Sequence, residues 1–504
     1  MADFDFIVVG TGSAGSCLAA RLTENADCRV LALEAGPLER PEVVHDAQRW
    51  PAVQGTSVDW GYTSTPQAAL DGRSTKEPRG KTIGGSSNLY IMMHIRGHPA
   101  DYDAWAYNGC PGWTYDECLP WFQKQEDQDD DTNPTAGHGG PIPVRNAGLH
   151  SPNPASTAFR DACLSLGYPE TQDFNGPTTE GVGWHHVNVV DDAKRFSTAE
   201  GYVEPALSRP NLTLETGAQA TRLLFSGTRC TGVEYVQDGE TKSASATKEV
   251  VVCGGAIESP HLLLLSGIGP AAQLGEFGID VLVDLPGVGE NFHNHVLAPV
   301  VAIPSQPVPP GHNNTSEAAL FLRSDPGWPV PDIQMAFVHI TPGMETGLTM
   351  LPGVVRPLSR GWIRLGRADP LAPPLINPNY LSAQADRDRL VQGIRLAREI
   401  YATKPLADWV AAVVFPGPEL QTDEELHGFL RMAADSYHHQ VGSCKMGQDT
   451  LAVVDPRLKV YGVEGLRVAD ASVMPAVPSG NCHAGIVMIA ERLADWLKQD
   501  HGLG

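Results

Sequence analysis

The sequence predicts an α/β protein of two domains, one built on a parallel sheet and one of the α+β class with an antiparallel sheet. Three observations support this prediction. The first 35 residues follow the order strand, glycine-rich turn, helix and strand. Apolar runs typical of buried strands return at 249–252 and 466–469, which indicates that the chain comes back to the same sheet. Between about 297 and 430, strands are followed by helices, a pattern typical of an α+β domain.

The beginning of the chain carries a nucleotide-binding pattern, which starts with the β-branched run 6–9. Gly10 permits a tight turn, Gly12 lets the backbone approach a pyrophosphate, and Gly15 lets the helix pack against the strand. The helix N-terminus offers free N–H groups to phosphates. Glu34 lies about 20 residues further on, where an acid binds a ribose hydroxyl. The pattern favours a dinucleotide site over an ordinary glycine-rich turn and leaves FAD and NAD open.

A second glycine-rich turn lies at 80–88, directly before the apolar, methionine-bearing segment 89–95. Its free N–H groups could face a phosphate or a flavin ring. The aromatic stretch 59–66 is better suited to covering a ligand than to forming a core helix. The acidic run 126–131 precedes glycine and proline, which favours a solvated surface loop over an acidic recognition site.

Length and composition exclude several classes of protein. A chain of 504 residues, 42% of them hydrophobic, can bury a large core and fits two or more domains. Its 36 basic and 59 acidic residues give a net charge of −23, which disfavours nucleic acid and anionic membrane surfaces. We expect no membrane span, because no apolar run approaches ~20 residues, and no signal peptide, because a strand begins close to Met1. Nine cysteines without paired metal-ligand spacing predict a cytoplasmic protein with reduced thiols and no metal site.

The C-terminal part of the chain holds the candidates for chemistry. Residues 466–469 form a predicted strand that brings Asp470 to the sheet edge where ligands of open α/β sheets bind. His438 and His439 come before this strand and His483 comes after it. Imidazole titrates near neutrality, so a histidine at such an edge can accept a proton.

Taken in order, these motifs resemble those of the glucose-methanol-choline (GMC) family of FAD-dependent oxidoreductases over essentially the whole chain. The matching motifs are 10–15 with Glu34, 80–87, 255–269, 286–291, 439–447 and 465–481. Any one of them could arise by chance, whereas the complete series is specific. The resemblance implies a Rossmann-like FAD-binding domain built from the discontinuous segments 1–97, 195–296 and 435–504. It also implies an α+β substrate domain formed by 98–194 and 297–434.

The family oxidises alcohols by moving a hydride from the carbinol carbon to flavin N5 while a base takes the hydroxyl proton. The resemblance places the base at His439, in preference to His438, and a second polar partner at His483. The implied substrate is a small-molecule alcohol or sugar, and the electron acceptor is O2 or a quinone. Two alternatives stay open. One is a non-standard reaction on the same fold, as a hydroxynitrile lyase or fatty-acid photodecarboxylase, and the other is a non-catalytic flavin-binding protein.

The resemblance also implies contacts with the cofactor and the substrate. We expect FAD to contact Gly10, Gly12, Ser13, Gly15, Glu34, Ala35, Trp60, Gly84, Gly85, Ser87, Asn88, Ala220, Asp470, Ala471 and His483. We expect the substrate pocket to include Tyr90, Met92, His94, Gln334 and Phe337. The histidine that holds the flavin covalently in some members aligns with Leu89, so FAD is expected to be bound non-covalently.

Three positions depart from the family's usual residues. Tyr90 stands where asparagine is usual, His94 where an aromatic residue is usual, and Asn294 where aspartate precedes His295. A tyrosine beside the flavin would narrow the cavity or donate a hydrogen bond. The missing charge at position 294 leaves one hydrogen-bonding role open.

Overall fold

A computed structural model describes residues 3–344 and 346–503. Its first sheet has seven strands and is mainly parallel. From one edge the order is Leu212–Glu215, Val30–Leu33, Asp3–Val9, Glu240–Val252, Arg229–Gln237 and Gln219–Ser226, with Leu466–Val468 also paired to Glu240–Val252. Arg229–Gln237 pairs antiparallel with both of its neighbours, and the other pairs are parallel.

Helices cover this sheet, which explains the unbroken apolar runs of its central strands. Phe6, Ile7 and Val8 are fully buried. The helices Ser13–Leu22 and His483–Asp500 pack against each other, although they lie at opposite ends of the chain. Between them Arg21 donates at 2.7 Å to the buried carboxylate of Glu491, so an ion pair also joins the two ends.

The second sheet has eight strands, and its pairings are antiparallel. Its main order is Val410–Phe415, Val300–Pro304, Leu348–Val354, Ile333–Val338, Ala318–Leu322 and Gly181–Trp184, and Val296–Leu297 and Asp435–Ser436 extend it. The helices Pro154–Ser165 and Gln384–Tyr401 cover one face, and Asp423–Ala433 packs on Gln384–Tyr401. This arrangement confirms the predicted α+β part of the fold.

Shorter elements connect the two sheets. The remaining helices are Glu42–His45, Ala47–Arg49, Trp50–Val53, Ala68–Leu70, Gly85–Asn88, Pro99–Tyr107, Tyr115–Gln125, Ala147–Leu149, Ala199–Val203, Glu204–Ala206, Gly255–Leu265, Ala271–Glu276, Leu406–Trp409 and Ala471–Val473. The remaining strands are Tyr62–Thr63, Lys76–Glu77, Glu126–Gln128, Ile142–Asn146, His186–Val187, Val189–Val190, Lys194–Arg195, Ile268–Gly269, Val283–Asp284, Trp362–Arg364 and Leu375–Asn377. Within the described ranges, no helix combines the length and apolarity needed to cross a membrane.

The first sheet takes strands from all three segments predicted for the nucleotide-binding domain. Asp435–Ser436, however, pairs with Val296–Leu297 of the second sheet, although the predicted boundaries assign it to the first domain. The other boundaries stay a prediction.

The acidic run 126–131 is not a solvated loop, so that prediction is wrong. Its first residues form a strand, and Glu126 is buried against Arg96 and His94. Asp130, also buried, lies 3.1 Å from the imidazole of His186. These carboxylates are inside the protein because buried cations need counter-ions.

Candidate active site

A long cavity runs between the two sheets. At one end it is lined by the first glycine turn and Glu34, and at the other by His439 and His483. The uncovered face of the second sheet contributes Ala336 and Val338 to its wall. One cavity therefore joins the predicted nucleotide site to the predicted catalytic residues.

The nucleotide end is built from two glycine turns in contact. The amide of Gly84 donates to the carbonyl of Thr11 at 2.7 Å, and a Cβ on Gly85 would lie only 2.7 Å from Cα of Gly12. The helix Ser13–Leu22 begins here without a side-chain cap, which leaves N–H groups of its first turn for a phosphate. Small residues and free donors at this turn fit a pyrophosphate.

Glu34 ends its strand as a fixed, buried carboxylate. It accepts hydrogen bonds from the backbone N and Oγ1 of Thr11, at 3.0 and 2.9 Å, and from the amide of Gly36 at 2.9 Å. Burial raises the pKa of Glu34, and these hydrogen bonds oppose that rise. A carboxylate lining the cavity in this position fits a ribose hydroxyl.

Asp470 links two elements that line the middle of the cavity. Its carboxylate accepts from the amides of Gly255 and Ser472, at 2.8 Å each, and from the hydroxyl of Ser259. Burial raises its pKa. It thereby ties the end of strand Leu466–Val468 to the start of helix Gly255–Leu265.

Most of the predicted cofactor contacts line this cavity. They are Gly10, Gly12, Ser13, Glu34, Ala35, Trp60, Gly85, Ser87, Ala220, Asp470, Ala471 and His483. Gly15, Gly84 and Asn88 lie behind the wall. A Cβ on Gly15 would lie 1.8 Å from the carbonyl oxygen of Gly10, so Gly15 serves helix packing. The Asn88 amide donates to the carbonyls of Ile83 and Gly85 and holds the second turn in shape.

The other end of the cavity, which is the predicted catalytic end, is organised around His439. Its Nδ1 lies 3.0 Å from Nδ1 of His295, and its Nε2 lies 2.9 Å from the amide nitrogen of Asn481. Its backbone N–H donates to Oδ1 of Asn294 at 2.7 Å. With the Asn481 amide assigned as donor, Nε2 of His439 is unprotonated and Nδ1–H donates to His295. Nε2 therefore carries a lone pair that can accept a proton.

The environment keeps this imidazole neutral. Burial lowers the pKa of His439 well below 6.5, and the neighbouring His295 and His438 lower it further. The Arg79 guanidinium acts in the same direction. Burial also lowers the pKa of His483 to about 3, so both predicted catalytic histidines are neutral at pH 7.

Two departures from the family pattern have clear partners. The Tyr90 hydroxyl accepts from Arg79 at 2.9 Å and donates to the carbonyl of Pro78, while its ring stacks on His438 at 4.6 Å. The Asn294 amide donates to the Ser436 hydroxyl at 2.9 Å in addition to accepting from His439. A carboxylate at position 294 could accept in this way but could not donate.

The predicted substrate residues separate into two groups. Tyr90 and Met92 line the cavity. His94 is buried against Glu126 at 3.0 Å, and Phe337 stacks on Phe159 at 5.0 Å under the covering helix. Both lie off the cavity, so their assignment to the pocket needs correction.

Strand alternation explains the position of Phe337. Ala336 and Val338 point to the cavity, so Phe337 points to the other face. Gln334 shares the face of Ala336 and Val338 but lies off the cavity wall and is fully buried.

Three residues around His439 had no predicted role, namely His295, Asn481 and Tyr437. Tyr437 and Asn481 line the cavity, and His295 contacts His439 from behind. Each belongs to a segment that sequence reading singles out, and only the distances reveal the contacts.

Comparison with known proteins places this chain among flavin enzymes. Sequence profiles described as GMC oxidoreductase match residues 4–297 and 357–490. The mitochondrial choline dehydrogenase of Mus musculus is 41% identical over 539 residues, covering 98% of this chain and 89% of that protein. An oxygen-dependent choline dehydrogenase of Pseudomonas putida (strain KT2440) is 40% identical and covers 98% and 94%.

Solved structures agree. The crystal structure of pyridoxine 4-oxidase from Mesorbium loti has a TM-score of 0.93 and 34% identity, covering 99% of this chain and 100% of that one. A formate oxidase has a TM-score of 0.91 and 28% identity, with 99% of both chains covered.

Proposed function

The chain belongs to the GMC oxidoreductase family, whose members oxidise CH–OH donors with FAD, and on that premise we propose that His439 is its catalytic base and His483 its partner. The supporting observation is the convergence of three polar atoms on one cavity. Nε2 of His439 is unprotonated and meets the Asn481 amide, which a bound alcohol could displace, and Oδ1 of Asn481 and Nε2 of His483 are buried without a hydrogen-bond partner. A hydroxyl group bound in the cavity would give these atoms hydrogen-bond partners, and an unpaired polar group costs about 1–3 kcal/mol.

Each residue has a defined task. Nε2 of His439 accepts the hydroxyl proton of the alcohol, while Nε2–H of His483 donates a hydrogen bond to the same oxygen. His295 accepts from Nδ1–H of His439 and so fixes the tautomer in which Nε2 is unprotonated. FAD, when bound, supplies the acceptor for the hydride that leaves the carbinol carbon.

The site fits FAD, and the residues lining the nucleotide end would hold it. We propose non-covalent binding because Leu89, which aligns with the covalent-flavin histidine of some members, offers no nucleophile. Acid precipitation of the yellow protein should leave the flavin in the supernatant. Flavin that stays with the pellet would contradict this proposal.

The identity of the alcohol, the electron acceptor and the cellular location are further proposals. The printed names of the relatives suggest choline and pyridoxine as test alcohols. Either O2 or a quinone is the proposed acceptor, and mixing the substrate-reduced enzyme with air or with a quinone decides between them. We propose a cytoplasmic location, supported by nine free and buried cysteines.

The test of the proposed base is anaerobic flavin reduction. His439→Asn should retain FAD but reduce it about 10²- to 10⁴-fold more slowly with an alcohol that bleaches the wild type. His438→Asn is the matched control, since asparagine tolerates the positive φ of 66° at that position. A large loss in His438→Asn with little loss in His439→Asn would show that the base has been assigned to the wrong residue.

A further inference from the structure

The roof of the cavity above the catalytic end is apolar. The second sheet contributes Leu297, Ala336, Val338 and Leu351 to it. The strand Val296–Leu297 pairs with Asp435–Ser436, which ends three residues before His439, so this roof stands beside the proposed base. The body of a bound alcohol would rest against it.

The same region lacks a charge that would pair with a cationic substrate. Among the residues that the structure describes, the carboxylates lining the cavity are Glu34, Glu258 and Asp470. All three belong to the nucleotide-binding side and have hydrogen-bond partners there. The cation Arg79 also lines the cavity. Buried Glu77 lies off the cavity and is already satisfied by four donors, which are Thr75, Ser436, Gln440 and Tyr380. A quaternary ammonium group would therefore lose its hydration without gaining a counter-ion, and the rings of Tyr90 and Trp60 in the cavity wall already pack against the cations Arg79 and Lys81.

Two unpaired polar groups lie at this apolar roof, Tyr437 on the cavity wall and Gln334 behind it. The hydroxyl of Tyr437 and both amide atoms of Gln334 are buried without a partner. The two side chains are 7% and 0% exposed, so water does not satisfy them from outside. Such groups are rare in folded proteins and call for a ligand.

The backbone shows that these two groups are neighbours. Gln334 pairs with Gly353 across the sheet, so both positions face the same side. A Cβ on Gly353 would lie 2.7 Å from Cε1 of Tyr437, which means that the Tyr437 ring covers Gly353. Tyr437 itself lines the cavity. The Tyr437 side chain therefore faces the cavity, with Gln334 behind the same part of the roof.

We propose that the Tyr437 hydroxyl forms a hydrogen-bonding subsite for a second polar group of the substrate, which is an uncharged alcohol with an apolar body and not a quaternary ammonium alcohol. This inference rests on the proposed alcohol oxidation at His439. A sugar is also a poor fit, because several hydroxyl groups would face the apolar roof.

The test uses the wild-type holoenzyme and anaerobic flavin reduction with four kinds of alcohol. Choline is the quaternary ammonium probe, glucose the sugar probe, benzyl alcohol the apolar probe, and the 2-, 3- and 4-hydroxybenzyl alcohols carry a second polar group. We expect at least one hydroxybenzyl isomer to exceed benzyl alcohol roughly three- to tenfold in kcat/KM, as one added hydrogen bond allows. Choline should be the poorest substrate. Choline or glucose as the best substrate would overturn the inference and leave the proposed alcohol oxidation intact.

Variants then locate the subsite. Tyr437→Phe should remove most of the preference for the hydroxybenzyl isomer, measured in one variant as the ratio of its kcat/KM to that of benzyl alcohol. Tyr401→Phe is the matched control, since this buried tyrosine donates to backbone carbonyls away from the cavity. An unchanged preference in Tyr437→Phe would overturn the subsite. Failure of every alcohol to bleach the flavin would instead refute the proposed function.

Discussion

Flavin reduction by a neutral alcohol should stay fast in mildly acidic buffer, because the structure keeps His439 neutral there. An ordinary imidazole with a pKa of ~6.5 is about one-tenth neutral at pH 5.5, so a base of that kind would lose about tenfold in rate between pH 7.5 and 5.5. Burial and adjacent His295, His438 and Arg79 lower the pKa of His439 well below that value. The deprotonated base therefore persists, and the expected loss over this range is less than about twofold.

Stopped-flow measurement of flavin bleaching without oxygen provides the assay, with benzyl alcohol because it does not titrate. The quantity to follow is kcat/KM from pH 5 to 8, since it reports ionisations of the free enzyme. Arg79→Gln removes a positive charge that opposes protonation, so its acid limb should move to higher pH than that of the wild type. A wild-type acid limb at pH 6.5 or above would refute the reasoning, because the base would then titrate as an exposed histidine does.

Two further predictions concern stability and cofactor binding. Glu126→Gln should lower the free energy of unfolding by about 3–5 kcal/mol, because the buried guanidinium of Arg96 loses its counter-ion. The neighbouring carboxylate of Asp127 is partly exposed, so Asp127→Asn should lower the free energy of unfolding by less than ~1 kcal/mol in the same denaturation experiment. Equal losses of unfolding free energy in the two variants would contradict this argument from burial. Gly15→Ala should fail to fold or should unfold at a much lower temperature, since its Cβ would lie 1.8 Å from a carbonyl oxygen. The Cβ of Gly12→Ala would lie 3.8 Å from its nearest neighbour, so this variant should fold normally but purify with less flavin. A colourless but stable Gly15→Ala protein would reverse these roles.

Local patterns predicted the nucleotide-binding half of the fold well. The glycines and Glu34 occupy a short stretch of chain whose spacing is set by one turn and one helix, so sequence distance translates directly into space. The β-branched runs were equally informative, because strands buried on both faces are apolar throughout.

The substrate side was harder to predict for a physical reason. Alternation along Ile333–Val338 defines two faces, but both are apolar, and the covering helix that decides between them lies in another part of the sequence. Phe337 was therefore placed on the wrong face. The acidic run failed in a similar way, because the cations that pair with Glu126 and Asp130 come from distant segments. The charge of these residues did not indicate that the Glu126 and Asp130 side chains are buried.

The pairing of the two chain ends has a consequence for biosynthesis. The strand Leu466–Val468, with Asp470 at its end, and the helix His483–Asp500 are synthesised after the other strands of the first sheet, yet the strand pairs with Glu240–Val252 and the helix covers Ser13–Leu22. Until they emerge, the nascent polypeptide exposes an unfinished edge and an apolar surface of the kind that chaperones bind. The part of the cavity that Asp470 and His483 line is therefore complete only after these two segments have been synthesised.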